Sequence, residues 1–295
     1  MKGPSKYVDS YTLEELRQFP AIVLYGYDYK DLNKMAQLLS QYVDEGGSLF
    51  LEANGSPDYK AESLPDPFPV RGTYTYIVMD EWSFNVSDHP ISQGVNFTVF
   101  APPLFGAGGW GVSTRDKSAD WAEAVLGSGG RPVIVVGEYG GGRVVWSGMN
   151  LFYHAKSYRN SEESRFIRRI LSWLSGGFES SVLGYRVEFV NPQRRIIWID
   201  GSAGGVLFKE NYFRQWHAAL IVGGERRRVS IYLAGPGLMY IPLPRNMGDH
   251  FEVLLWYDLS IGEKVGYVVS VFSLVLLLIL VLRRPDFLFV CGEDS

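Results

Sequence analysis

Few side chains in this sequence have the type and spacing that chemistry demands. His89, His154, His217 and His250 are the four histidines, and none has a second ligand two to four residues away, as zinc sites require. Asp88-His89-Pro90 reads as a turn. Cys291 is the single cysteine, so no internal disulfide is available. Gly140-Gly141-Gly142 sits in GEYGGGR, which leads into a strand rather than a helix, so it reads as a hairpin and not as a phosphate cradle. Neither a metal nor any other cofactor is expected. Tyr212, Phe213 and Trp216 offer aromatic faces that suit a sugar ring, but Tyr212 and Trp216 are expected to fill a small β core instead. Three sequons occur, at Asn54, Asn85 and Asn96.

The strongest signal is Val265 to Leu282, VGYVVSVFSLVLLLILVL, which has no charged residue and is closed by Arg283 and Arg284. A run of this length is expected to cross a bilayer as one helix. Trp256, Tyr257 and Tyr267 are expected to anchor it at the interface. The arginine pair is expected to keep residues 283–295 in the cytoplasm and so to favour an extracytoplasmic upstream region, which carries all three sequons. The opening residues MKGPSKYVDSYTLEEL contain no apolar signal segment. Either the orientation is reversed or the chain is the tail of a larger polytopic protein, and the second expectation is preferred. A bilayer and a membrane-protein partner, or a missing N-terminal membrane segment, are therefore expected.

The 295 residues are 46% hydrophobic and 20% charged, which suits about two folded domains beside the helix. With a net charge of -4 and one basic run, Arg226-Arg227-Arg228, the chain is not expected to bind nucleic acid. That triplet is expected to solvate a hairpin end.

The elements follow from the pattern. Thr12-Leu13-Glu14-Glu15 is a capping box. Ala21 to Tyr25 is a continuous apolar run, expected as a central parallel strand. Leu32, Met35, Ala36, Leu39, Tyr42 and Val43 recur at helical spacing and stop at Gly46-Gly47 before the strand Ser48 to Glu52. This is a βαβ unit. Proline-rich residues 54–110 are expected as surface loops, with a weak strand at Tyr74 to Met79. Trp121 to Leu126, Pro132 to Glu138 and Arg143 to Ser147 are expected as an edge meander, and Phe166, Ile167, Ile170, Leu171 and Leu174 mark a last helix ending at Gly176-Gly177. Seven short β runs follow: 186–189, 196–199, 205–209, 218–222, 229–233, 239–242 and 251–257. They predict an antiparallel sandwich over residues 182–258.

The segments FPAIVLYGYDYKDLNKMAQLLSQYVDEGGSLFLEANG, DHPISQGV and RPVIVVGEYGGGRVVWSGMNLF together resemble the class I glutamine-amidotransferase-like fold in its ThuA-like branch. The resemblance spans residues 7–177 and implies an α/β domain, mostly parallel, with flanking helices. It would set a cysteine nucleophile on the turn after Ser48 to Glu52, with histidine and glutamate partners. That turn reads Glu52-Ala53-Asn54-Gly55, so the nucleophile is absent and the mechanism does not carry over. Glu52, Asn54 and His154 are the remaining catalytic candidates, with His154 the nearest match to a base. GVLFKENYFRQWHAAL and GPGLMYIPLPRNMGDHFEVLLWYDLS are similar to the C-terminal part of YfhO-like proteins of the GT-C glycosyltransferase class. This implies an extracytoplasmic β domain before a last membrane helix, and a glycan as ligand. The expected role is non-catalytic binding or positioning in glycan assembly. A cleft hydrolase and a structural cell-surface subunit are the alternatives.

Overall fold

The computed structural model describes residues 3, 5–54, 56–78, 83–100, 110–114, 119–176, 184–201, 204–235, 237–243 and 250–283. The chain divides into two compact units, residues 2–182 and residues 183–295. Arg284 and the tail after it lie outside the described residues.

In the first unit, helix α1 (Leu13–Leu16) opens with the Thr12/Glu15 capping box. It is followed by β1 (Ala21–Leu24), α2 (Leu32–Asp44) and β2 (Ser48–Glu52). Asp31 caps α2 by accepting from the amides of Asn33 and Lys34, and Met35, Leu39, Tyr42 and Val43 bury the face that the spacing predicts. Then come β3 (Tyr74–Val78), β4 (Phe84–Val86), β5 (Trp110–Thr114), β6 (Ala122–Ser128), β7 (Arg131–Tyr139) and β8 (Gly142–Ser147). Helices α3 (Leu151–Tyr158) and α4 (Ser161–Leu174) close the unit.

One six-stranded sheet runs in the order β1-β2-β8-β7-β6-β4. β1, β2 and β8 are parallel, whereas β7, β6 and β4 attach in antiparallel sense. The sheet is therefore mixed, not mostly parallel, because the Tyr139–Gly142 turn is too short for any connection except a hairpin. Two further expectations are corrected. β1 is an edge strand, not a central one, and leaves Val23 and Tyr25 exposed. The stretch after Asn54 is not only surface loop: Leu64, Phe68, Val70 and Ile91 are fully buried and complete the two apolar clusters flanking the sheet.

The second unit holds β9 (Gly184–Asn191), β10 (Arg194–Asp200), β11 (Gly205–Asn211), β12 (Trp216–Val222), β13 (Glu225–Val229), β14 (Tyr232–Ala234), β15 (Leu238–Pro242) and β16 (His250–Tyr257). They form two antiparallel sheets, β13-β12-β16-β10-β9 and β11-β15-β14. Both contribute to one apolar cluster around Ile197, Trp216, Leu220, Met239, Ile241 and Val253. The run expected at 229–233 breaks between β13 and β14. The arginine triplet is exposed and lies within the edge strand β13, starting one residue after the pair that closes the β12–β13 hairpin.

Helix α5 (Ile261–Arg283) follows β16 after three residues. It starts four residues before Val265 because Ser260 and Glu263 form a second capping box: the Ser260 amide donates to Glu263 at 2.7 Å and the Glu263 amide to Ser260 Oγ at 3.2 Å. None of its residues is buried by the rest of the chain, and it is long and apolar enough to cross a membrane. Its 23 residues span about 34 Å at ~1.5 Å per residue.

The β7–β8 turn sits directly on the end of α2. A β-carbon on Gly142 would meet the carbonyl oxygens of Gly47 and Val43, neither of which can move without disturbing the start of β2. Gly142→Ala is expected to cost about 1–3 kcal/mol through overpacking, read as a lower urea midpoint with unchanged m-value.

Candidate functional site

Parallel strands β1, β2 and β8 end on the same side of the sheet, the position at which α/β proteins form ligand crevices. Glu52 is the last residue of β2, lies opposite Ser147 at the end of β8, and is fully buried. One carboxylate oxygen accepts from Ser147 Oγ at 2.8 Å and from the Leu151 amide at 3.0 Å. The other accepts from the amides of Asn150 at 3.0 Å and Asn54 at 3.2 Å. The carboxylate thus ties β2 to β8 and to the first turn of α3. Burial pushes the Glu52 carboxyl from 4.5 up to about 7, against four hydrogen bonds that favour its ionised form.

The β8–α3 turn is tight. Asn150 takes a left-handed conformation, φ 49° and ψ 44°, which asparagine tolerates better than most residues. Its side-chain oxygen accepts from the Tyr25 hydroxyl at 3.0 Å. Asn54 donates from its side-chain amide to the Gly148 carbonyl. Tyr25 and Tyr153 are about half exposed, and burial, then Glu52, then Tyr153 raise the Tyr25 pKa. Above the buried carboxylate there is consequently a rim of phenol and amide groups. Tyr25, Ser147 and Asn150 are absent from the sequence-based candidates, since no motif links residues 95 to 125 positions apart.

His154 has a different setting. It lies on α3, buried, with Nδ1 2.8 Å from Glu163 Oε2 on the first turn of α4 and the Tyr158 ring against its own. No hydrogen bond joins His154 to Glu52 among the described residues. The three candidates thus separate into a strand-end pair, Glu52 and Asn54, and a histidine hydrogen-bonded between two helices.

Of the aromatic trio, Trp216 is buried, Tyr212 is partly covered, and Phe213 is exposed. Tyr257 meets Trp216 and Phe213 edge-on, at ring separations of 5.4 Å and 6.5 Å. Trp256 stacks on His217 at 5.4 Å, and Tyr267 is exposed on α5, which ends at Arg283. Among the sequons, Asn85 and Asn96 are exposed, whereas Asn54 is half-buried. His217 and His250 pair with Asp258 and Asp200, and His89 lies 3.7 Å from Glu123. Among the described residues no cluster of His, Cys, Asp or Glu could hold a metal ion.

Residues 1–154 match a family described as "Domain of unknown function (DUF8560)". No curated protein matches the chain. Among solved structures, the cytoplasmic protein STM1381 from Salmonella typhimurium LT2 is similar at 15% identity and TM-score 0.40, over 55% of this chain and 75% of that one. The exo-beta-1,4-mannosidase Op5Man5 from Opitutaceae bacterium strain TAV5 is similar at 12% identity and TM-score 0.33, over 56% of this chain and 26% of that one. A beta-galactosidase from Bacillus circulans sp. alkalophilus gives 12% identity and TM-score 0.28, over 81% and 32%. Likeness at this level assigns neither fold nor activity.

The raised carboxyl of Glu52 sets a sign for stability against pH. Its proton is held more tightly in the folded state than in the unfolded one. The contribution is full below the unfolded value of 4.5 and is lost as pH rises towards 7. Between pH 4.5 and pH 8 that loss is about 3 kcal/mol for this residue. In Glu52→Gln it should vanish: the gap in unfolding free energy between variant and parent, from urea titrations, should narrow as pH rises through this window.

Proposed function

The chain belongs to the DUF8560 family, and from the state of its buried carboxylate we propose that it is a bilayer-anchored binding or positioning module, not a hydrolase. The observation that carries this reading is that both oxygens of Glu52 are committed to four donors of the chain itself. A general acid or base must instead reach a substrate proton. The turn after β2 carries Ala53 where a nucleophile would stand, and His154 is taken up by Glu163. What remains for a ligand is the exposed rim of Tyr25 and Tyr153 with the adjoining amides of Asn54 and Asn150.

In this reading residues 7–177 form an amidotransferase-like domain without its nucleophile, and residues 182–258 a β-sandwich of the kind that precedes the last helix in YfhO-like, GT-C-class proteins. The two stacked antiparallel sheets support the second assignment. Both face the outside of the cell, α5 crosses the membrane, and the ligand is a glycan handled with a membrane-protein partner. Asn85 and Asn96 are then available to glycosylation.

The second reading, a cleft hydrolase, draws on one fact: a carboxyl titrating at about 7 is poised for proton transfer at neutral pH. Substitution separates the two. Glu52→Gln and His154→Ala, each confirmed folded by circular dichroism, are expected to leave incorporation of labelled sugar into cell-surface glycan within about twofold of the parent. Loss of a positioned acid or base would cost roughly 10²- to 10⁴-fold, and such a fall would establish the hydrolase instead. Orientation is tested by protease added to intact spheroplasts. The region before Ile261 should be digested without lysis, and protection until lysis would reverse the assignment.

A further inference from the structure

The outer face of the five-stranded sheet, turned away from the apolar cluster, carries several arginines and tryptophans. Cross-strand register places His217, Ala219 and Ile221 of β12 on it, together with Glu252, Leu254 and Trp256 of β16, Arg194, Ile196 and Trp198 of β10, and Arg226 and Arg228 of β13. Arg186 of β9 joins them opposite Trp198, with its guanidinium 3.9 Å from the ring centre. The guanidinium of Arg226 lies 4.5 Å over Trp256 and that of Arg228 5.8 Å, while His217 stacks beside the same ring. Arg194 is the direct cross-strand partner of Trp256. Among the described residues no carboxylate pairs with Arg194, Arg226 or Arg228, all three of which are exposed. The acids on the face are Glu188, Glu252 and Asp200; Asp200 is paired with His250, and the nearby Asp258 with His217.

Arg194 lies at the end of the sheet from which α5 departs, and the side chains of Arg226 and Arg228 reach Trp256 at that end, whereas Arg186 lies level with Glu252. The Tyr257 amide donates to the Gln193 carbonyl and the Asp258 amide to that of Gln215, which holds the β9–β10 and β11–β12 turns level with the last residues of β16. Four peptide steps, at most about 14 Å of chain, connect Tyr257 to the first residue of α5. The same end exposes Phe189, Phe213 and Arg214. A guanidinium resting on an indole keeps its N–H edge free, and that edge forms a fork matched to the oxygens of a phosphodiester.

We propose that this end of the sheet, with Arg194, Arg226 and Arg228 around Trp256, docks on the anionic phospholipid headgroups of the bilayer that α5 crosses. Phe213, exposed in the turn before β12, reaches into the interfacial layer at this end of the sheet. The inference rests on α5 being a membrane span. The occupant follows from sign and tether: unpaired cations held within a short, capped connection of a span face headgroup phosphate before any other anion. Each arginine near such a surface is expected to contribute about fivefold to association, lost as salt screens it.

The test uses the full chain in nanodiscs, with Cys291→Ser and a fluorophore on Gln193→Cys, and a headgroup nitroxide lipid as quencher. In discs of phosphatidylcholine with about a third phosphatidylglycerol, quenching at low salt should exceed that in phosphatidylcholine alone at least twofold. The excess should disappear in 0.5 M salt and in the triple variant Arg194→Glu, Arg226→Glu, Arg228→Glu, checked as folded by circular dichroism. Equal quenching in both lipids, or an excess that survives charge reversal, would overturn the proposal. So would a change of the same size produced by inorganic phosphate in discs of phosphatidylcholine alone. Extraction of the parent chain from discs by carbonate would instead refute the span on which the proposal rests, a result separable from the lipid comparison.

Discussion

A single buried carboxylate holds the first unit's architecture at its most demanding point. Three segments must converge where β2 and β8 end: the turn after Glu52, the end of β8 with Ser147, and the first turn of α3. Each brings a donor that burial would leave unsatisfied, and an unpaired buried amide costs about 1–3 kcal/mol. Glu52 answers all of them from one position, with both oxygens used twice. The left-handed turn at Asn150 is supported by this arrangement, since its own amide and that of Leu151 both find an acceptor in Glu52. The exposed rim of Tyr25, Asn54 and Asn150 is thereby fixed from below.

Much of this was legible in the sequence, for identifiable reasons. The α2 face follows from the recurrence of Met35, Leu39, Tyr42 and Val43, and the start of α1 from a capping box four residues long, because both signals are local. The apolar length of α5 is equally local. What escaped is non-local. Ala21 to Leu24 has the composition of a buried central strand, but its place at the sheet edge depends on which strands later in the chain pair beside β2. The pairing of Glu52 with Ser147 and of Tyr25 with Asn150 joins positions 95 and 125 residues apart. Composition also misread the stretch after Asn54, since prolines mark irregular backbone without saying whether it is exposed. Phe68 and Ile91 lie in that stretch and are wholly buried.

The second unit shows how register turns a commonplace pattern into a surface. Arg226-Arg227-Arg228 looks like a solvated turn until pairing with β12 sends alternate arginines to opposite sides of the sheet. Only then do Arg226 and Arg228 come over Trp256, a residue 28 or more positions away in sequence. The same alternation turns Trp216 of β12 into the core, while Phe213, in the turn before it, is exposed. Trp216 is buried, Tyr212 is partly covered against the same cluster and Phe213 is exposed, so the three aromatics do not present one common face.

The path from β16 into α5 has a mechanical consequence. β16 lies in the middle of its sheet, with seven residue pairs to β10 and six to β12, and passes into the helix through three residues and a capping box. A force along α5 would load both ladders lengthwise, so that their hydrogen bonds would have to fail together instead of peeling one after another. With only three residues between them, displacement of the start of α5 would act directly on the end of β16, at the centre of the five-stranded sheet.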